Sequence, residues 1–169
     1  MTGMTGKAKV ERLGARDLLD AVLDPGSWQN WDTTPQQVAV PGSAYAQELV
    51  AAEAKAGTDE SLITGQGTLQ GRPVALVVSE FRFLAGSIGH AAAERLVLAV
   101  ERATRDGLPL IGAPASGGTR MQEGTNAFVG MVKISAAVRS QERRAPVSGL
   151  SAPPHDRWGS GLLGGRRVT

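Results

Sequence analysis

Apolar positions along the chain fall into two kinds of pattern, and their alternation predicts the order of elements. Residues 15–23 place Leu18, Leu19, Val22 and Leu23 on one helical face before Pro25-Gly26 stops the helix. A second helix is predicted over residues 43–56, with Tyr45, Leu49, Ala52 and Ala56 at helical spacing and Gly57 at its end. The period then changes. LITGQGTL (62–69) and PVALVVSEF (73–81) read as two strands around the turn Gln70-Gly71-Arg72. A glycine loop, FLAGSIG (83–89), leads into a helix with Ala93, Leu96, Val97 and Val100 as its apolar stripe, a Glu101–Arg105 pair at i,i+4 and Gly107 at its end. A short strand (108–111) and a second glycine loop precede a last helix running to Val138, with Ala127, Met131, Ile134 and Val138 on one face.

After Val138 the periodicity stops. Residues 139–169 carry six Arg, no Lys and many Pro, Gly and Ser, a composition of irregular structure. The Gly/Thr-rich start, MTGMTG, reads as a disordered lead-in over residues 1–14. Between them the expected organisation is an N-terminal helical segment (15–60) and an α/β core (61–138).

Composition narrows the chemistry. Aromatic residues are 4% of the chain, so the core rests on Ala, Val, Leu and Ile, and an α/β architecture fits better than an aromatic-rich all-β one. Trp28 and Trp31 are assigned to packing over that core. There is no Cys, and the two histidines, His90 and His155, are far apart, so no metal site is expected. No run is long and apolar enough for a membrane span, and cytoplasm is the expected location. The net charge of +2 is a property of the tail: residues 1–138 carry 12 Lys and Arg against 14 Asp and Glu, and the rest carry 6 against 2. The body therefore has no basic face for a nucleic acid.

The second glycine loop lies in LPLIGAPASGGTRMQEG (108–124), where a strand gives way to Gly117-Gly118 and then to Arg120, Met121, Gln122 and Glu123 as an expected first helical turn. Glycines there accept positive φ and bare the backbone, and first-turn N–H groups favour an anion. Taken alone, the loop is equally compatible with a tight turn linking a strand to its helix. It lacks a GxxxxGK[ST] phosphate loop, a GxGxxG fingerprint and a nearby Cys or His. Any chemistry falls to backbone donors. Both glycine loops follow strands and precede helices, so they are expected at the carboxyl ends of the strands, lining one pocket. His90 is read as an ordinary helix-start residue rather than a base.

The combination of GTLQGRPVALVVSEFRFLAGSIG, ERLVLAVERA, LPLIGAPASGGTRMQEG and MVKISAAV resembles the biotin-dependent carboxyltransferases, most of all the β subunit of bacterial acetyl-CoA carboxylase. The resemblance implies a crotonase-like fold of repeated β-β-α units, present in part. It implies an enzyme of fatty acid biosynthesis that moves a carboxyl group from carboxybiotin to the α-carbon of an acyl-CoA, acetyl-CoA in the first instance. Gly117 and Gly118 then match the glycines whose N–H groups hold the thioester oxygen of the enolate. Gly86, Ser87 and Gly89 match the loop that lines the acyl-CoA pocket. The implied cofactor is biotin on a carrier protein. The implied partners are that carrier and an α-type subunit, in an oligomer, with no nucleic acid, membrane or metal. In the family the proton passes to the biotin ureido group, so no protein base is required.

Two departures from the family pattern stand out: Ala85-Gly86 where two glycines are usual, and Thr119 where a smaller residue is usual, which predicts a tighter pocket. Residues 139–169 match nothing that follows in the family, and a truncation or shifted reading frame is the expected explanation. A malonyl-thioester decarboxylase of the same fold, or a non-catalytic remnant that only binds a partner, are the alternatives.

Overall fold

The computed structural model describes residues 13–115 and 118–150. The expectations for the lead-in up to residue 12, for Gly117 and for residues 151–169, His155 among them, lie outside the described residues.

Five strands form one sheet in sequence order. Helix α1 (Ala15–Val22) and the short strand β1 (Gln29–Asn30) come first, followed by α2 (Ala44–Ala56). The side chain of Ser43 caps α2 by accepting the Ala46 N–H at 3.2 Å, and Gly57 closes the helix at φ 70°. The hairpin forms as expected from β2 (Leu62–Leu69) and β3 (Arg72–Ser79). Its two-residue turn puts Gln70 and Gly71 at φ 51° and 74°, the paired left-handed conformation that matches strand twist. Helix α3 (His90–Asp106) then carries the chain to β4 (Leu110–Ala113), and α4 (Thr125–Glu142) carries it to β5 (Val147–Gly149). β1, β2 and β3 pair antiparallel, whereas β3, β4 and β5 are parallel neighbours.

The continuous apolar run of β3 has a simple cause: both faces of the strand are covered. Val74, Leu76 and Val78 pack with Ala15, Leu19 and Leu23 of the α1 segment. Ala75 and Val77 pack with Ala92, Ala99, Val100 and Ala103 of α3. The α3 stripe is turned from the expected one, since Leu96 and Val97 are half-buried while Arg95 is buried. Arg95 pairs with Asp59 at 2.9 Å and donates to the carbonyls of Leu62 and Thr33, at 2.9 and 2.8 Å. The i,i+4 ion pair of this helix falls on Arg102 and Asp106, 3.7 Å apart, rather than on Glu101 and Arg105. Trp28 and Trp31 cover the two cores as expected, with the Arg102 guanidinium 4.5 Å from the Trp31 ring centre.

The expected irregular tail starts too early. α4 continues four residues past Val138, and Val147–Gly149 adds a fifth strand beside β4. The reason is a buried polar tether: Gln141, fully buried, meets the Thr104 hydroxyl and donates to the Leu108 carbonyl at 2.8 Å. The Leu110 N–H then donates to Pro146 at 3.0 Å and the Leu150 N–H to Gly112 at 2.7 Å.

Candidate functional site

The first glycine loop leaves the carboxyl end of β3 and the second leaves the carboxyl end of β4. Because those strands are adjacent and parallel, both loops emerge on one side of the sheet. They then touch. A single parallel bridge joins Ile88 to Thr119: the Ile88 N–H donates to the Gly118 carbonyl at 2.9 Å, and the Arg120 N–H donates to the Ile88 carbonyl at 2.9 Å.

The first loop is held at its start by Glu80, a buried carboxylate that accepts the N–H groups of Ala15 and Arg82, each at 2.8 Å. Phe83, buried at 1% exposure, anchors it against Leu49 and Ala52 of α2. Leu84, Ala85 and Gly86 follow with φ of 43°, 55° and 68°. Such a left-handed conformation favours glycine, and alanine at position 85 costs about 1–2 kcal/mol. In the second loop Gly118 has φ 110°, and no described atom outside its immediate neighbours lies within 4 Å of where a Cβ would stand. The turn is open at that α-carbon.

The expected helical first turn is instead a 3-10 turn over Met121–Glu123, closed by the Glu123 N–H donating to the Arg120 carbonyl at 3.2 Å and the Gly124 N–H to the Met121 carbonyl at 3.1 Å. α4 begins only at Thr125. The start of α3 is occupied, because the His90 N–H donates to the Glu123 carboxylate at 2.5 Å. The anion at that helix terminus is the protein's own. A Cβ at 89 would come within 2.8 Å of Arg120 Nη1 and 2.9 Å of Glu123 Cδ, so a larger residue there displaces these two side chains.

Between the loops lies a buried polar cluster that the sequence reading missed. Arg120 and Glu60 are both fully buried and form a two-pronged ion pair, Nη1 donating to Glu60 Oε2 at 3.1 Å and Nη2 to Oε1. Nη2 also reaches the Ser87 carbonyl at 2.9 Å and the Ser61 hydroxyl at 3.3 Å. Nη1 lies 3.3 Å from the Tyr45 hydroxyl and 3.5 Å from Glu123. The Tyr45 hydroxyl donates to Glu123 Oε1. Burial works against the Arg120 charge, but the hydrogen bonds and charge of Glu60 outweigh it and the guanidinium is held more firmly protonated than usual. Burial, then donation to Glu123, pushes the Tyr45 hydroxyl up to about 12. Arg120 stood in the expected helix start with Glu123 three residues on. Its other polar partners lie 33 to 75 residues away in sequence, beyond the reach of any local pattern.

Of the expected site residues, Gly86, Ser87, Gly89 and Gly118 are gathered at this junction. Ser87 is turned inward: its carbonyl accepts from the Ser61 hydroxyl at 2.8 Å and its hydroxyl from Arg120 Nε at 3.4 Å. The described residues contain no group of three or more His, Cys, Asp or Glu arranged to hold a metal.

A sheet with paired glycine loops at the ends of parallel strands defines a mixed α/β fold, and known proteins place it among the crotonase-like carboxyltransferases. Residues 8–147 match the carboxyl transferase domain family, and the chain belongs to that family; the match runs past Val138 to residue 147, further than the sequence pattern led us to expect. It is 57% identical over 130 residues to a probable biotin-dependent acyl-coenzyme A carboxylase beta3 subunit of Mycobacterium tuberculosis, covering 77% of this chain and 26% of that protein. To the acetyl-coenzyme A carboxylase carboxyl transferase subunit beta of a Synechococcus strain it is 39% identical over 153 residues, covering 88% of this chain and 48% of the relative. The chain thus spans about a quarter of one relative and about half of the other. Among solved structures, transcarboxylase 12S with methylmalonyl-coenzyme A bound superposes with a TM-score of 0.62 at 28% identity, over 75% of this chain and 23% of the other. A Pseudomonas malonate decarboxylase hetero-tetramer in complex with malonate superposes at 0.65 and 26% identity, over 84% and 51%.

Proposed function

We propose that this chain carries the thioester-binding half of a biotin-dependent acyl-CoA carboxyltransferase site. The observation that carries the proposal is the Ile88–Thr119 bridge, which sets the first loop beside an open, positive-φ Gly118. Backbone N–H groups of Gly117 and Gly118 are the donors to the thioester oxygen as negative charge develops there. One such donor contributes about 3 kcal/mol to the transition state. Gly86, Ser87 and Gly89 shape the pocket wall: Gly86 allows the left-handed turn, Ser87 ties the wall to Arg120, and Gly89 leaves room for Glu123.

Carboxylated biotin, presented by a carrier protein, would supply the carbon dioxide by cleavage of its N–carboxyl bond, and the ureido nitrogen so freed would accept the α-proton. The enolate, its oxygen held by the glycine loop, adds through its α-carbon to the carbon dioxide and gives the malonyl-type product. By the same likeness, an α-type subunit supplies the biotin-side donors. Acetyl-CoA is the first substrate to test, and an oligomeric complex of the cytoplasm engaged in fatty acid synthesis is the setting this reading implies. Among the described residues no helix is long and apolar enough to cross a membrane.

The superposition on a malonate decarboxylase supports a second reading, decarboxylation of a malonyl thioester at the same loop. The two are separated by incubating the chain and its α-type partner with malonyl-CoA, with and without biotin. Carboxyl transfer requires biotin for acetyl-CoA release. Equal release without biotin supports the decarboxylase and contradicts the carboxyltransferase.

A further inference from the structure

We propose that Arg120 is a positioning residue for the oxyanion loop, acting with Glu60, Glu123 and Tyr45 to fix the separation and aim of the two glycine loops; this rests on the oxyanion role of Gly118 proposed above. The contacts of the guanidinium support it. Arg120 follows Thr119, the bridge residue, by one position, so its backbone N–H closes the bridge to Ile88 while its side chain grips the Ser87 carbonyl immediately before Ile88. The same fork is fixed from outside by Glu60, which precedes β2. Glu123, on the far side of the 3-10 turn, seats on the His90 N–H at the start of α3 and is held there by Tyr45 of α2. One cation therefore joins four separate segments around the peptide that carries Gly118.

A planar, multi-donor cation is needed for this, because a lysine reaches fewer of these acceptors and has no fixed fork. Glu123 supplies the second restraint, and its loss frees both the α3 start and the Tyr45 hydroxyl. A displacement of the donors by an ångström costs up to about a hundredfold in rate while leaving ground-state binding largely intact.

The test compares the full chain, assembled with its α-type partner, with Glu123→Gln, Tyr45→Phe and Arg120→Lys, reading kcat, KM for acetyl-CoA, and amide exchange at Ile88 and Arg120 against Leu76 in β3. The expected result is a kcat lowered about tenfold or more in Glu123→Gln with KM within about twofold, together with faster exchange at Ile88 and Arg120 and none at Leu76. Tyr45→Phe shows the same split to a smaller degree. If Arg120→Lys does not fold, the other two variants decide. Unchanged kcat in both, or Ile88 and Arg120 amides as protected as in the wild type, overturns the proposal. A wild-type chain without turnover contradicts the proposed function instead, and the amide exchange then decides whether the cluster sets the loop geometry.

Discussion

Tyr45 is the single tyrosine of the chain, so the interior polar cluster can be read directly by its ionisation. Burial and the Glu123 carboxylate favour the neutral hydroxyl, raising its titration from 10.0 to about 12. A raised pKa means that the unfolded chain loses this proton first. The stability contributed by the neutral hydroxyl is therefore complete below pH 10 and is lost as pH rises towards about 12. Tyrosinate absorbance should rise with a midpoint near 12 in the folded protein, and Tyr45→Phe should remove this part of the alkaline destabilisation. A midpoint near 10 means that the hydroxyl does not sit between Glu123 and Arg120. At the same scale Glu60 and Arg120 depend on each other: removing one member of a fully buried pair costs about 3–5 kcal/mol, because the other charge is left without compensation. None of this was legible in the sequence. Arg120 sits in a loop that reads as glycine chemistry, and the buried carboxylate that forks with it, Glu60, comes from the segment before β2.

Elements were far more legible than contacts, because each reports its own burial through its own period. The hairpin, α2 with its Ser43 start and Gly57 stop, and α3 were all in the pattern. The end of the chain was missed for local reasons. A three-residue strand such as Val147–Gly149 is too short to show any period, and Gln141 is a polar residue at a buried position. The end of α4 is consequently set by a tertiary contact, the Gln141 amide between Thr104 and Leu108. Gln141→Ala removes both hydrogen bonds and the buried side chain that makes them, leaves the Thr104 hydroxyl only its bond to Val100, and should destabilise the protein by about 1–3 kcal/mol, seen as a lower denaturation midpoint. The protection of the Leu150 amide, bonded to Gly112, should fall with it. Unaltered stability would show that residues past Val138 are attached to the sheet by something else.

Across the whole molecule the sheet order does the positioning. Strands β3 and β4 lie side by side and parallel, so the loops after them are neighbours although about 30 residues of chain, including all of α3, separate them. Two strand-loop-helix stretches were visible in sequence, and so was the rule that places such loops at the carboxyl end of a sheet; the Ile88–Thr119 bridge that brings them into register was not. The central claim is that backbone donors at this junction, and no side-chain base, carry the chemistry. The most direct measurement is the rate of carboxyl transfer from carboxybiotin to acetyl-CoA by the chain joined to its partner, compared among wild type, Gly118→Val and His90→Ala. At φ 110° a β-branched residue is strained and rotates the donor away, so Gly118→Val should lose on the order of a hundredfold or more, while His90→Ala should change the rate little. Full activity in Gly118→Val with activity abolished in His90→Ala would contradict the account and place the chemistry on a side chain at the start of α3.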